Sequence, residues 1–277
     1  MIIDFHTHTF PDPIAGAAIR KLELAAHARS FSDGTQSGLL HAMQTAGIDH
    51  AVILPVATNP LKCASMNDKA CAINEGRLTS FAAIHPDAPD WHAELGRVKA
   101  LGFKGVKIHP VYQGVRIDDP RFVRILARCG ELELTVVMHS GADIGFPGAV
   151  FCSPAMLRSA LQQAGPVTLI AAHMGGWRNW QEVPEQLLDT SVLLDTAFSL
   201  GAIQPLDDHY TPEELALMSE EEFCALVRIF GSSRVVFGTD SPWDLMGECV
   251  RRIEALPLTD QEKEDIFCGN AKKLLAL

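Results

Sequence analysis

The chain has 277 residues, 47% of them hydrophobic and 21% charged, and carries a formal net charge of −11. That composition supports a sizeable core and excludes a disordered chain, and the negative charge argues against non-specific binding to nucleic acid or an anionic membrane. Seven scattered cysteines with no C-x-x-C pair, no basic-then-apolar leader and no run as long as a membrane span point to a reducing, cytoplasmic setting.

Ile2-Ile3-Asp4-Phe5-His6-Thr7-His8 reads as a first strand. Side chains alternate along a strand, so His6 and His8 project to one face and Thr7 to the other. Two imidazoles so spaced can grip one divalent metal if further ligands converge; alone the pair is weak evidence, which chance histidines near a terminus explain better. Phe10-Pro11-Asp12-Pro13 breaks the backbone, and Ile14, Ala18, Leu22 and Ala25 then recur at helical spacing. Leu39, Leu40 and Met43 mark a second helix that stops at Gly47. The fully apolar strand 51–55 suits a parallel sheet covered by helices.

The alternation continues. The pattern predicts a helix over 65–76 and a strand over 79–84 that ends in His85. A helix over 91–101 is followed by a strand over 105–108 that stops at His109. Phe122, Ile125, Leu126 and Cys129 mark one helix face before a strand over 135–138 that ends in His139. Ser153-Pro154 is an N-cap followed by proline at the first helical position. A strand over 167–172 ends in His173, and a shorter one covers 192–194. Capping boxes at Thr211–Glu214 and Ser219–Glu222 predict two helices in a longer connection, and the stretch 203–230 has the length to fold over a site as a lid. The last strand, 235–237, ends in Gly238-Thr239-Asp240, and a capping box at Thr259–Glu262 starts a terminal helix running to Leu275.

Eight strands alternating with helices, without a linker, predict one α/β domain over 1–277, a (β/α)8 TIM barrel. The absence of a glycine-rich turn after the first strand counts against a dinucleotide-binding sheet. His6, His8, His85, Lys107, His109, His139, His173 and Asp240 all fall at strand C-termini, the end where such barrels build active sites. One histidine at one strand end is ordinarily structural; this many at one end point to metal or catalysis. His6, His8, His139 and Asp240 suit Zn2+, with Mn2+ and Fe2+ open on ligand type. Asp240 is then placed to take a proton from a metal-activated water, and His173 to act as acid or base toward the substrate or to bind a second metal.

The run Asp4-Phe5-His6-Thr7-His8, together with Ile84-His85-Pro86, Gly105-Val106-Lys107-Ile108-His109-Pro110, His139-Ser140-Gly141, His173-Met174-Gly175-Gly176, Gly238-Thr239-Asp240-Ser241-Pro242 and Gly269-Asn270-Ala271, resembles the amidohydrolase superfamily. The likeness is to its amidohydrolase-2-type branch of metal-dependent hydrolases and decarboxylases and spans nearly the whole chain. It implies His6, His8, His139 and Asp240 as ligands and His173 as the sixth-strand histidine. Some superfamily members carry a carboxylated lysine on the fourth strand between two metals. Lys107 is a candidate for that role, but a single metal with Lys107 as a point charge for a substrate carboxylate is the preferred expectation. His109 shares that strand face. Arg178, just beyond the sixth strand, is a further carboxylate-binding candidate, although a solvated helix start explains it as well.

The expected activity is metal-dependent hydrolysis of an amide, lactone or ester bond in a small, carboxylate-bearing substrate. The alternative is non-oxidative decarboxylation of an aromatic or unsaturated acid. A PHP-type phosphoesterase, whose chain also opens on a run like Asp4–His8, fits the eighth-strand run less well, and a binding protein without catalysis fits the fold but not four intact ligand positions. The expected partner is a small-molecule substrate, with no nucleic acid or membrane; assembly into a homo-oligomer is left open.

Overall fold

The computed structural model describes residues 1–74 and 76–277. In chain order the elements begin with β1 (Ile3–Thr7), α1 (Asp12–Ala26), α2 (Gln36–Ala46), β2 (His50–Ile53), α3 (Cys63–Cys71), β3 (Leu78–Ser80), β4 (Ala82–Ala83) and α4 (Trp91–Ala100). Next come β5 (Gly105–Ile108), α5 (Pro110–Gln113), α6 (Pro120–Glu131), β6 (Thr135–Met138), β7 (Gly141–Ala142), β8 (Val150–Cys152), α7 (Pro154–Ala164), β9 (Leu169–Ala171) and α8 (Val183–Leu187). The chain closes with β10 (Leu193–Asp195), α9 (Pro212–Leu215), α10 (Glu220–Phe230), β11 (Val235–Val236), α11 (Met246–Ala255), α12 (Asp260–Glu264) and α13 (Asn270–Leu275). They group into two compact units: residues 1–53, 144–147 and 195–277 form one, and 54–143 and 148–194 the other.

Local chemistry sets the helix ends. Thr35 caps α2 by accepting from Gly38 N–H, and Gly47 ends it in the left-handed conformation that glycine tolerates. Ser219 and Thr259 form the reciprocal capping boxes read from the sequence, each with the glutamate three residues on. In α6, Phe122, Ile125, Leu126 and Cys129 are all buried, as their spacing of three and four residues requires. Phe223, Cys224, Leu226, Val227 and Phe230 are buried along α10, so the second half of the stretch expected as a lid is a packed core helix.

In the first unit β1 pairs in parallel with β2, Ile3 opposite His50 and Asp4 opposite Ala51. Its other edge meets the β11 strand end, where Phe5 N–H donates to Phe237 O (2.8 Å) and Asp240 N–H to His6 O (2.9 Å). Thr196 N–H donates to Val236 O (3.1 Å), which brings the end of β10 beside β11. Three strand ends, at His6, Asp195 and Asp240, are thereby neighbours. The second unit holds parallel strands in the order β4, β5, β6, β9 and the start of β10, with Lys107 opposite Ala83 and Val137. Nearly every residue in these strands is buried, as expected for strands covered on both faces.

The structure also differs from the sequence expectation in four further respects. The helix expected over 65–76 ends at Cys71, and Glu75 lies outside the described residues. The strand expected over 79–84 is two short pieces separated by Phe81; Asn67 takes the place of a strand partner, accepting from Ala83 N–H (2.7 Å) and donating to Ala83 O (3.1 Å). The terminal helix is interrupted by a π-turn over Asp265–Gly269, which frees Ile266 O to accept from Phe237 N–H at 2.9 Å. An antiparallel hairpin, β7 with β8, follows β6 and has no signal in the sequence pattern.

Candidate functional site

In the first unit three donor atoms face one another. His6 Nε2 lies 3.2 Å from His8 Nε2 and 3.3 Å from Asp240 Oδ1, and His8 Nε2 lies 3.1 Å from the same oxygen. Alternation along β1 puts both imidazoles on one face, and Asp240 reaches them because its backbone N–H is tied to His6 O. Donors bound at about 2.0–2.2 Å around one ion are separated by about 3–3.5 Å, so this set fits a divalent metal without rearrangement. On its other side His6 Nδ1 lies 2.8 Å from Asp195 Oδ2, with both side chains 1% exposed.

Beneath this triad Asp4 is fully buried. It accepts from His6 N–H (3.0 Å), Thr239 N–H (3.1 Å) and the Thr239 hydroxyl (2.5 Å), stitching β1 to the β11 strand end. Burial nonetheless outweighs these hydrogen bonds and pushes its carboxyl up to about 7.

In the second unit the strand-end histidines form a chain. The His109 and His139 rings stack with centroids 4.0 Å apart and planes 11° apart, and both Nε2 atoms approach Asp143 Oδ2, at 3.5 and 3.6 Å. His139 Nε2–H donates to Ala142 O (3.0 Å), which leaves its Nδ1 lone pair facing His173 Nε2 at 3.0 Å. Imidazoles bind metals in the plane of the ring, and two nearly parallel rings cannot both aim at one ion, so His109, His139 and Asp143 are poorly arranged as a metal centre despite their proximity.

The remaining expected residues are distributed as follows. Lys107 is enclosed within the second unit at 1% exposure. His85 is buried, accepts from Asp87 N–H (3.1 Å) and has its pKa lowered chiefly by desolvation, in keeping with an internal role. Arg178 is exposed and lies over the Trp177 ring, 4.7 Å from its centroid. Sequence reasoning missed Asp4, Asp143 and Asp195. Asp195 had a usable signal, a carboxylate directly after the apolar pair Leu193-Leu194, which is the placement that singled out the histidines. Asp143 had none, because the hairpin that returns it toward His139 leaves no pattern.

A family model described as amidohydrolase matches residues 3–277. No curated protein matches the chain. Among solved structures, an uncharacterized TIM-barrel protein from Bordetella bronchiseptica aligns with a TM-score of 0.77 at 19% identity, covering 99% of this chain and 98% of that one. A 5-carboxyvanillate decarboxylase from Novosphingobium aromaticivorans, complexed with manganese and 4-hydroxy-3-methoxy-5-nitrobenzoic acid, aligns at 0.71 and 16%, covering 100% and 96%. A candidate 2-pyrone-4,6-dicarboxylic acid hydrolase from Pseudomonas putida aligns at 0.64 and 20%, covering 99% and 97%. These likenesses show the fold, the TIM barrel expected from the strand–helix alternation. No helix among the described residues is long and apolar enough to cross a membrane.

Proposed function

The chain belongs to the amidohydrolase family, and from that premise we propose that it hydrolyses an amide, lactone or ester bond in a small, carboxylate-bearing substrate with the help of one divalent metal. It is an enzyme of the metal-dependent amidohydrolase superfamily, with residues 1–277 proposed as one catalytic domain. The observation that carries the metal is the triad His6 Nε2, His8 Nε2 and Asp240 Oδ1, mutually 3.1–3.3 Å apart. These three residues would hold the ion, and the family's pattern adds His139. The ion supplies Lewis acidity, which acidifies water and polarises a substrate oxygen. Zn2+ suits the donor set, and the manganese in the similar decarboxylase brings Mn2+ alongside it.

Asp240 takes the proton from the attacking water, and His173 delivers one to the leaving group. Lys107, His109 and Arg178 are the groups proposed to hold the substrate carboxylate, with Lys107 as an enclosed point charge. A carboxylated Lys107 with a second metal is the competing arrangement.

Non-oxidative decarboxylation is the second reading, favoured by the likeness to an aromatic-acid decarboxylase. There Asp240 or His173 would protonate the carbon that loses CO2. The two readings are separated by assaying a panel of lactones, esters, amides and hydroxybenzoates with chelated, Zn2+-loaded and Mn2+-loaded protein. Hydrolysis products that require added metal support the first reading, and CO2 without hydrolysis overturns it. In the active form Asp240→Asn should lower kcat by about 10²–10⁴-fold with unchanged circular dichroism; full turnover removes Asp240 from its role.

A further inference from the structure

We infer that Asp195 is a positioning residue that fixes the tautomer of His6 and so makes its Nε2 available as a metal ligand. The inference rests on the metal reading above and deepens it. It begins with the two oxygens of one buried carboxylate. Asp195 Oδ2 meets His6 Nδ1 at 2.8 Å, and Asp195 Oδ1 accepts from Ala197 N–H at 3.1 Å. With Asp195 ionised, its oxygens only accept, and the proton in the first contact belongs to Nδ1. Neutral His6 then has its lone pair on Nε2, the atom that faces His8 Nε2 and Asp240 Oδ1.

Asp195 is itself held on a rigid support. The next residue, Thr196, donates through its N–H to Val236 O (3.1 Å), and its hydroxyl bridges Gly238 O and Gly238 N–H, both at 2.9 Å. The carboxylate therefore approaches His6 from an anchored strand end rather than from a loop. A carboxylate behind a ligating imidazole both orients the ring and raises its basicity.

The competing view is that this is merely a buried ion pair that stabilises the unit. Asp195→Asn separates the two, because the amide matches the carboxylate in shape but not in acceptor count. If its oxygen keeps Ala197 N–H, its NH2 group points at His6 Nδ1 and drives the imidazole proton to Nε2, where it blocks the metal. If its oxygen turns to His6, its NH2 group opposes Ala197 N–H and the amide flips back. Either way the Nδ1–H tautomer loses support.

The test titrates Mn2+ into metal-stripped wild type and Asp195→Asn, and records 15N-edited imidazole spectra of both loaded with Zn2+. The expected result is one Mn2+ per wild-type chain, about 10–100-fold weaker binding in the variant, and a hydrogen-bonded His6 Nδ1–H present only in the wild type. A purely structural role would move the melting temperature but leave the imidazole signal in place. Equal Mn2+ affinity in the two proteins overturns the inference, as does a Zn2+-loaded wild type whose His6 lacks a proton on Nδ1. Should the variant fail to fold, the wild-type spectrum decides. Wild type that binds neither ion sinks the metal reading itself, a distinct outcome.

Discussion

Asp4→Asn probes how a buried carboxyl is tolerated beneath the His6–His8–Asp240 triad. The carboxyl is fully buried, and desolvation pushes it up to about 7 even though it accepts from His6 N–H, Thr239 N–H and the Thr239 hydroxyl. In the unfolded chain it titrates near 3.9. A folded pKa above the unfolded one means that the folded state binds the proton more tightly. The stabilisation is fully present below about 3.9 and is lost as pH rises through about 7. Integrated between pH 8 and pH 5, this single group should add about 2.5 kcal/mol to wild-type stability. Asparagine keeps an oxygen for the two backbone N–H groups and presents an NH2 group to Thr239 Oγ1, so it mimics the protonated acid without titrating. Urea denaturation of metal-free wild type and variant at pH 5, 6, 7 and 8 reads the difference, and histidine titrations common to both proteins cancel. The variant should compare most favourably at pH 8 and lose that advantage toward pH 5. A constant gap across the series would refute the desolvation argument.

Two further substitutions test packing and capping. A Cβ at Gly238 would come within 2.8 Å of His6 Cβ and 3.3 Å of Ala197 Cβ, so Gly238→Ala must push β1 away; it should cost about 1–3 kcal/mol in denaturation and weaken Mn2+ binding together. Ser219→Ala removes the acceptor for Glu222 N–H at the start of α10 and should cost about 1 kcal/mol in thermal unfolding while kcat stays unchanged.

What was legible in the sequence is what local chemistry determines. The capping boxes at Thr211, Ser219 and Thr259 involve residues three apart, and all three form. The strand-end histidines were visible because each closes an apolar run. Partners distant in sequence were not. Asp195 meets His6 across 189 positions, and no periodicity links them. The π-turn in the terminal helix is intelligible only once Phe237 N–H is seen to take Ile266 O, an interaction that helix propensity cannot encode.

Backbone strain shows why the candidate catalytic residues were found by position and not by any local signal. His173 and Asp240 both adopt left-handed conformations, with φ of 60° and 61°. For residues bearing a Cβ this costs about 1–2 kcal/mol each, and a sequence optimised for the backbone alone would place glycine there. Left-handed His27 and Ala276 merely end helices, where the conformation is ordinary. At 173 and 240 the chain instead keeps an imidazole and a carboxylate in a costly geometry at strand ends. Asp240 is held there by its N–H on His6 O and by Trp243 N–H on its own carbonyl, both interactions of the backbone and not of the carboxylate. The side chain is thus left to the triad, which is where the proposed role in proton transfer places it.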